Sequence, residues 1–205
     1  MRIASQGILN QDTEITFYFD SKPYKGFLGD TVASALLAND VHLVGRSFKY
    51  HRPRGILGIG SEEPNALISV HKGGRVEPNV RATVQEIYQG LIVTSQNSWP
   101  NLKFDALAIN DIAARFLSAG FYYKTFMWPP RFWEALYEPI IRRAAGLGRL
   151  DSKTDDDNYD QNFLFCDLLI IGGGPSGLLS ALLTARAGLD VILVDENANF
   201  GGQLR

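Results

Sequence analysis

The sequence predicts an α+β domain, a helical connecting segment, and then the opening strand–helix–strand of an α/β domain. Three observations carry this. Apolar Ile15, Phe17 and Phe19 alternate with Thr16 and Tyr18, the period of a half-buried strand, and a short helical pattern follows. A nearly continuous apolar run at residues 166–171 leads directly into the glycine-rich Gly172-Gly173-Gly174-Pro175-Ser176-Gly177. Between these ends lie an aromatic stretch and an acidic, polar one.

In chain order, Asp20-Ser21-Lys22-Pro23 reads as a turn and residues 24–27 as the returning arm of a hairpin. Asp30 or Thr31 can cap a helix running through Val32, Leu36 and Leu37. A hairpin followed by a helix is how a small β-grasp domain begins. Further short strands are expected at residues 66–70 and 91–93, and residues 46–64 are rich in Gly, Pro and Arg. No internal repeat is present. From residue 102 to 149 the character changes, with Phe121-Tyr122-Tyr123, then Phe126-Met127-Trp128-Pro129-Pro130, then a helical run holding Phe132, Trp133, Leu136 and Tyr137. Pro129-Pro130 forces an extended stretch and suits a helix start. Residues 151–161 read as a linker, and Asp155-Asp156-Asp157 within it as a solvated loop rather than a metal site. The expected domains are therefore residues 1–100, a connecting segment 101–162, and an α/β opening at 163–205.

Composition narrows the function classes. Hydrophobic residues make up 45% and charged residues 20%, with a formal net charge of -2, so no bulk attraction to nucleic acid or to acidic membranes is implied. The single cysteine, Cys166, can make neither an internal disulfide nor a cysteine metal cage, and a reducing compartment is the simple reading. Residues 1–10 lack the apolar core of a signal peptide, and the apolar stretch at 163–171 is too short to span a bilayer. A cytoplasmic protein is expected, with neither nucleic acid nor membrane as a partner.

Gly172, Gly174 and Gly177 have the spacing G-x-G-x-x-G, directly between an expected strand and a helix starting near Ser176. The first glycine allows a tight turn, the second lets backbone approach a pyrophosphate, and the third lets helix and strand pack closely. The helix start then offers its N–H groups and dipole to an anion. The helix is expected to end at Gly188 and a second strand to run over residues 191–194, closing with Asp195-Glu196. Asp195 lies eighteen residues after Gly177, where a carboxylate can bond the ribose hydroxyls of an adenine nucleotide and repel a 2′-phosphate. The candidate cofactor-binding residues are thus Gly172, Gly173, Gly174, Pro175, Ser176, Gly177, Asp195 and Glu196, at the start of a Rossmann domain. With Gly201-Gly202 added, the segment resembles the flavoproteins with two dinucleotide domains, which include glutathione reductase. Fold alone does not choose between FAD and NAD.

Longer runs sharpen the resemblance. Arg46-Ser47-Phe48-Lys49-Tyr50-His51-Arg52-Pro53-Arg54-Gly55, Glu63-Pro64-Asn65-Ala66-Leu67 and Asn79-Val80-Arg81-Ala82-Thr83 resemble the alpha subunits of heterotetrameric sarcosine oxidases. So do residues 119–130 and 137–148. The resemblance implies a multi-subunit flavoenzyme with beta, gamma and delta partners, oxidising sarcosine to glycine. Oxygen is reduced to hydrogen peroxide, and the methyl carbon passes to tetrahydrofolate or leaves as formaldehyde. It further implies NAD on this subunit, FAD on beta, FMN between alpha and beta, and a C-terminal folate-binding domain beyond Arg205. The N-terminal domain also resembles the ferredoxin-like domain of hydrogen cyanide synthase and opine oxidase subunits, where four cysteines hold a two-iron, two-sulfur cluster. The corresponding loop here, residues 55–64, has no cysteine, and Thr83 stands near the place of the fourth. A cluster-free ferredoxin-like fold is expected. The alternatives are a subunit of a related opine, proline or cyanide-forming dehydrogenase, against which the missing cysteines argue, and a non-catalytic nucleotide-binding scaffold.

Other residues have plainer readings beside functional ones. Arg46, Lys49, Arg52 and Arg54, with Phe48, Tyr50 and His51, can hold a flavin or nucleotide phosphate or can salt-bridge to another domain. His42, His51 and His71 are too widely spaced for a metal pair and read as structural. Cys166 reads as an inert core thiol. No general base or nucleophile stands out. These 205 residues by themselves are expected to show no oxidase activity and to leave residues 168–171 and 191–194 facing water.

Overall fold

A computed structural model of the chain describes residues 9–112, 114, 128–145, 151, 160–197 and 199–204. The aromatic run before Trp128 and the acidic run at residues 155–157 lie outside them. The chain divides into two units between Asp156 and Asp157.

In the first unit, β1 (Asn10–Phe19) and β2 (Lys22–Leu28) pair antiparallel with Phe19 opposite Lys22. Asp20 and Ser21 take positive φ, 47° and 65°, as a two-residue hairpin turn of type I′ requires. The turn is therefore shorter than expected, and Lys22 and Pro23 already belong to the second strand. Pro23 is tolerated because β2 is an edge of the sheet and its missing N–H costs no ladder bond. Helix α1 (Val32–Ala38) takes Thr31 as its N-cap: Thr31 Oγ1 accepts the Ser34 N–H at 3.2 Å, and Ser34 Oγ accepts the Thr31 N–H at 3.0 Å. Asp30, the other candidate cap, is buried behind it. Its carboxylate accepts the Phe27 N–H at 2.8 Å and the Ser34 hydroxyl at 2.6 Å.

Strands β3 (Gly45–Arg46) and β4 (Pro53–Arg54) form a small antiparallel ribbon. The main sheet adds β5 (Leu67–Lys72), β6 (Arg75–Arg81) and β7 (Ile92–Ser95), in the order β2-β1-β7-β5-β6. Only β1 and β7 run parallel, so the sheet is mixed. Strand β6 is not expected from periodicity: it carries Pro78 and charged residues and stands at the far edge. Phe17, Phe19, Ile68, Val70, Leu91 and Val93 bury their side chains with Val32, Ala35 and Leu36 of α1, which makes one core between sheet and helix. Beside it lies a polar centre. His51 is fully buried, and its Nδ1 is 2.6 Å from Asp105 Oδ2. Asp105 Oδ1 accepts the N–H groups of Trp99 and Leu107, each at 3.1 Å. Further along, Pro129 is extended and Pro130 opens a 3-10 turn over Pro130–Phe132. A wide turn at Trp133–Tyr137 and helix α2 (Glu138–Ala145) continue it.

The second unit is β8 (Leu168–Ile171), α3 (Pro175–Arg186) and β9 (Val191–Val194), with β8 and β9 parallel and Ile171 opposite Val194. The strand starts later than residue 166 because Asp167 is used otherwise. Its Oδ2 accepts the Asp190 N–H at 2.9 Å, while the Asp190 carbonyl accepts from both Asp167 and Leu168. Cys166 therefore precedes the strand and is half-buried, which corrects its assignment to a buried strand. Leu169 and Ile171, expected to face water, are 53% and 81% exposed. No described helix is long and apolar enough to cross a membrane.

The core makes a plain prediction for the first unit. Phe17→Ala in the intact protein is expected to cost about 3–5 kcal/mol, and Ile59→Ala, at a 91% exposed position, less than about 0.5 kcal/mol. Urea denaturation followed in both variants measures the difference.

Candidate functional site

The glycine turn joins β8 to α3. Gly172 has φ +104°, a conformation costly for any other residue, and its N–H donates to the Val194 carbonyl at 2.8 Å, which ties the turn to the end of β9. A Cβ on Gly177 would overlap the Gly172 carbonyl oxygen, so helix and turn touch backbone to backbone. A Cβ on Gly174 would meet nothing within 4 Å. Gly174 is the N-cap of α3, with ordinary extended angles and no side chain capping the helix. Pro175 follows as the first helical residue and has no N–H to offer. The first-turn N–H groups of Ser176 and Gly177 have no acceptor within the helix.

Gly173 has a different part. It is buried, and a Cβ there would overlap the Phe200 ring. Its N–H donates to Asp195 Oδ2 at 2.6 Å, and its carbonyl accepts the Gly201 N–H at 2.8 Å. Asp195 Oδ1 accepts both the backbone N–H and the side-chain Nδ2–H of Asn197, each at 2.8 Å. The Gly173 N–H and then the two Asn197 bonds hold the Asp195 carboxyl below the usual range. Asp195 thus stays ionised at neutral pH and orders the turn, with lone pairs left for further donors. Glu196 is exposed. Spacing alone missed Phe200 and Asn197. Gly201-Gly202 was visible in the sequence, and its place is against the turn.

A second arrangement lies in the loop of residues 55–66. Glu63 is only 1% exposed. Its Oε2 accepts the N–H groups of Leu57, at 2.7 Å, and of Gly58; its Oε1 accepts those of Asn65 at 2.7 Å and Ala66 at 3.1 Å. Burial pushes this carboxyl up, and the donors from Gly58, Asn65, Leu57 and Ala66 more than reverse that, so it lies below the usual glutamate range. Glu62 Oε1 accepts from Ile59 at 2.9 Å and Gly60 at 3.0 Å. Thr83 is buried against the same loop and donates its hydroxyl to the Gly60 carbonyl at 2.7 Å.

The basic patch is largely engaged within the chain. Arg46 donates to the carbonyls of Leu102, Lys103 and His51. Arg52 pairs with Asp111 at 2.7 Å, and both Lys49 and Arg52 stack over the Tyr50 ring. Arg54 lines a small cleft with Ser47, Asn65, Gln96 and Asn97, where Gln96 Oε1 is buried without a partner among the described residues. No described group of three or more His, Cys, Asp or Glu residues is placed to hold a metal ion.

Known proteins resemble both units. Residues 12–98 match the family described as a 2Fe-2S iron-sulfur cluster binding domain, and residues 167–205 match FAD dependent oxidoreductases. The chain is 58% identical over 203 residues to sarcosine oxidase subunit alpha of Rhizobium meliloti (strain 1021), which is 99% of this chain and 21% of that protein. The subunit of the same name from Corynebacterium sp. (strain U-96) is 32% identical over 96% of this chain and 16% of its own. The chain thus spans about a fifth of the length of these relatives or less. L-proline dehydrogenase from P.horikoshii aligns in structure with a TM-score of 0.47 and 19% identity, over 94% of this chain and 26% of that one. Residues 12–98 thus match a ferredoxin-like domain, and residues 167–205 a segment of an FAD-dependent oxidoreductase. An iron–sulfur cluster does not fit the residues present. Residues 12–98 contain no cysteine, and hydroxyl and carboxylate groups of Thr83, Glu62 and Glu63 line the loop instead.

The glycines separate into structural and open positions, and substitution reads this out. Gly177→Ala is expected to destabilise the second unit by about 1–3 kcal/mol or more through overpacking, whereas Gly174→Ala leaves its melting unchanged. Thermal unfolding of the two variants in the intact protein compares them directly.

Proposed function

We propose that the chain forms the N-terminal part of the alpha subunit of a multi-subunit sarcosine oxidase, and that its second unit opens a Rossmann domain that binds NAD. The identity of 58% across nearly the whole chain with a protein of that name carries the first statement. The enzyme so proposed demethylates sarcosine oxidatively to glycine with formation of hydrogen peroxide. Beta, gamma and delta subunits assemble with it, FAD and FMN belong to the assembly with FMN at the alpha/beta interface, and tetrahydrofolate takes the methyl carbon on a further domain. The single cysteine supports a reducing, cytoplasmic setting. The organisation that follows is a ferredoxin-like domain at residues 1–100, a connecting segment at 101–162 and a nucleotide domain from 163.

The open side of Gly174 supports the nucleotide reading, because backbone without a side chain is what a pyrophosphate must approach. Ser176 and Gly177 would offer their N–H groups there, since Pro175 has none. Gly172, Gly173 and Gly177 shape the turn. Asp195, ionised and anchored, would accept from a ribose diol, and its charge would repel a 2′-phosphate; Glu196 adds to that repulsion. When bound, NAD supplies a two-electron hydride acceptor.

The intact complex is expected to consume oxygen and form peroxide with sarcosine, and failure of sarcosine to do so rejects the proposal. Nucleotide released from the separated subunit is expected to chromatograph as NAD; recovery of FAD would overturn that assignment. NADH is expected to bind more tightly than NADPH by calorimetry. Asp195→Asn should weaken NADH about tenfold and narrow the preference. Gly174→Ala should fold normally and bind neither.

A further inference from the structure

We infer that the Glu63 carboxylate is a built-in replacement for the iron–sulfur cluster: it is the anion around which the loop of residues 55–66 is folded. In a cluster-bearing loop the backbone wraps an anionic iron–sulfur group, and N–H groups bond its sulfurs. Here the N–H groups of Leu57, Gly58, Asn65 and Ala66 converge on one buried carboxylate. Each is a donor from irregular backbone, where an unmade bond is costly, and a carboxylate has enough lone pairs for all four. The loop is closed from outside by Thr83, whose hydroxyl holds the Gly60 carbonyl, and by Arg81, whose Nε donates to the Glu63 carbonyl at 3.2 Å. Charged groups beside Glu63 include Arg81, bonded to its carbonyl, and its chain neighbour Glu62. The domain so built keeps the shape of an electron carrier but has no redox group. It acts as a structural module that needs no metal to fold. This rests on the loop geometry and not on the nucleotide reading, and the two can fail separately.

Three measurements on the intact protein test it. Anaerobic purification is expected to give no stoichiometric iron or acid-labile sulfide in excess of what other chains of the complex hold, and a cluster traced to residues 12–98 would overturn the inference. In Glu63→Gln, amide exchange at Leu57, Gly58, Asn65 and Ala66 should accelerate about tenfold or more, while Val70 and Val93 stay protected. Unchanged exchange, or an equal loss in Glu62→Gln, would overturn it too. The wild-type protein serves if Glu63→Gln does not fold. The folded carboxyl titrates below the ordinary value, so its contribution is complete above about pH 4.3 and is lost as pH falls through the lower folded value. Protection factors of those four amides should therefore drop on acidification before those of the sheet. Loss only together with the sheet would count against Glu63.

Discussion

A backbone N–H withdrawn from water needs an acceptor, and at several turns and loops of this chain a carboxylate supplies it. Glu63 gathers four such groups in the loop of residues 55–66. Asp105 takes those of Trp99 and Leu107 and orders His51 with its other oxygen. Asp30 holds Phe27 ahead of α1, Asp20 in the hairpin turn holds Ser95 at the end of β7, and Asp195 holds Gly173. Bonds from N–H to an ionised acceptor are stronger than neutral ones, so these few side chains fix loops that periodicity cannot. Each side chain ties together backbone that would otherwise have several shapes.

In the second unit the same device sets the exposed geometry of the turn. The bond from Gly173 to Asp195 couples the end of β9 to the start of α3. Gly173 is turned inward against Phe200, while a Cβ on the next residue, Gly174, would meet nothing within 4 Å. Anchoring and openness are therefore neighbouring properties of one hydrogen-bonded unit. The acid at the strand end gives one oxygen to Gly173 and the other to Asn197.

The regular elements were legible because their patterns are local. Alternation at Ile15, Phe17 and Phe19 marks β1, Thr31 marks the start of α1, and the apolar runs around the glycine turn mark β8 and β9. Strand β6 was not, since Arg75–Arg81 offers only Val76 and Val80 as apolar residues and contains a proline. Its one local signal is Gly73-Gly74, a two-residue hairpin turn just ahead of it. The part of Glu63 was illegible for a different reason: an acid in a polar, glycine-rich loop reads as solvated, and only the folded path brings Leu57 and Ala66 to the same carboxylate. Likewise His51 and Asp105 lie far apart in sequence, and no spacing rule joins them.

The two edges of the main sheet share a feature with a consequence for behaviour in a crowded solution. Both carry a proline, Pro23 in β2 and Pro78 in β6, and both are rich in charge, with Lys22 and Lys25 on one and Arg75, Glu77 and Arg81 on the other. A free sheet edge is a template on which a strand from another molecule can add, and this is how fibrils begin. A proline removes one donor from that template, and on β2 a second copy would have to bring lysines together to use it. The pattern that hides β6 from periodicity also makes that edge a poor template for a further strand.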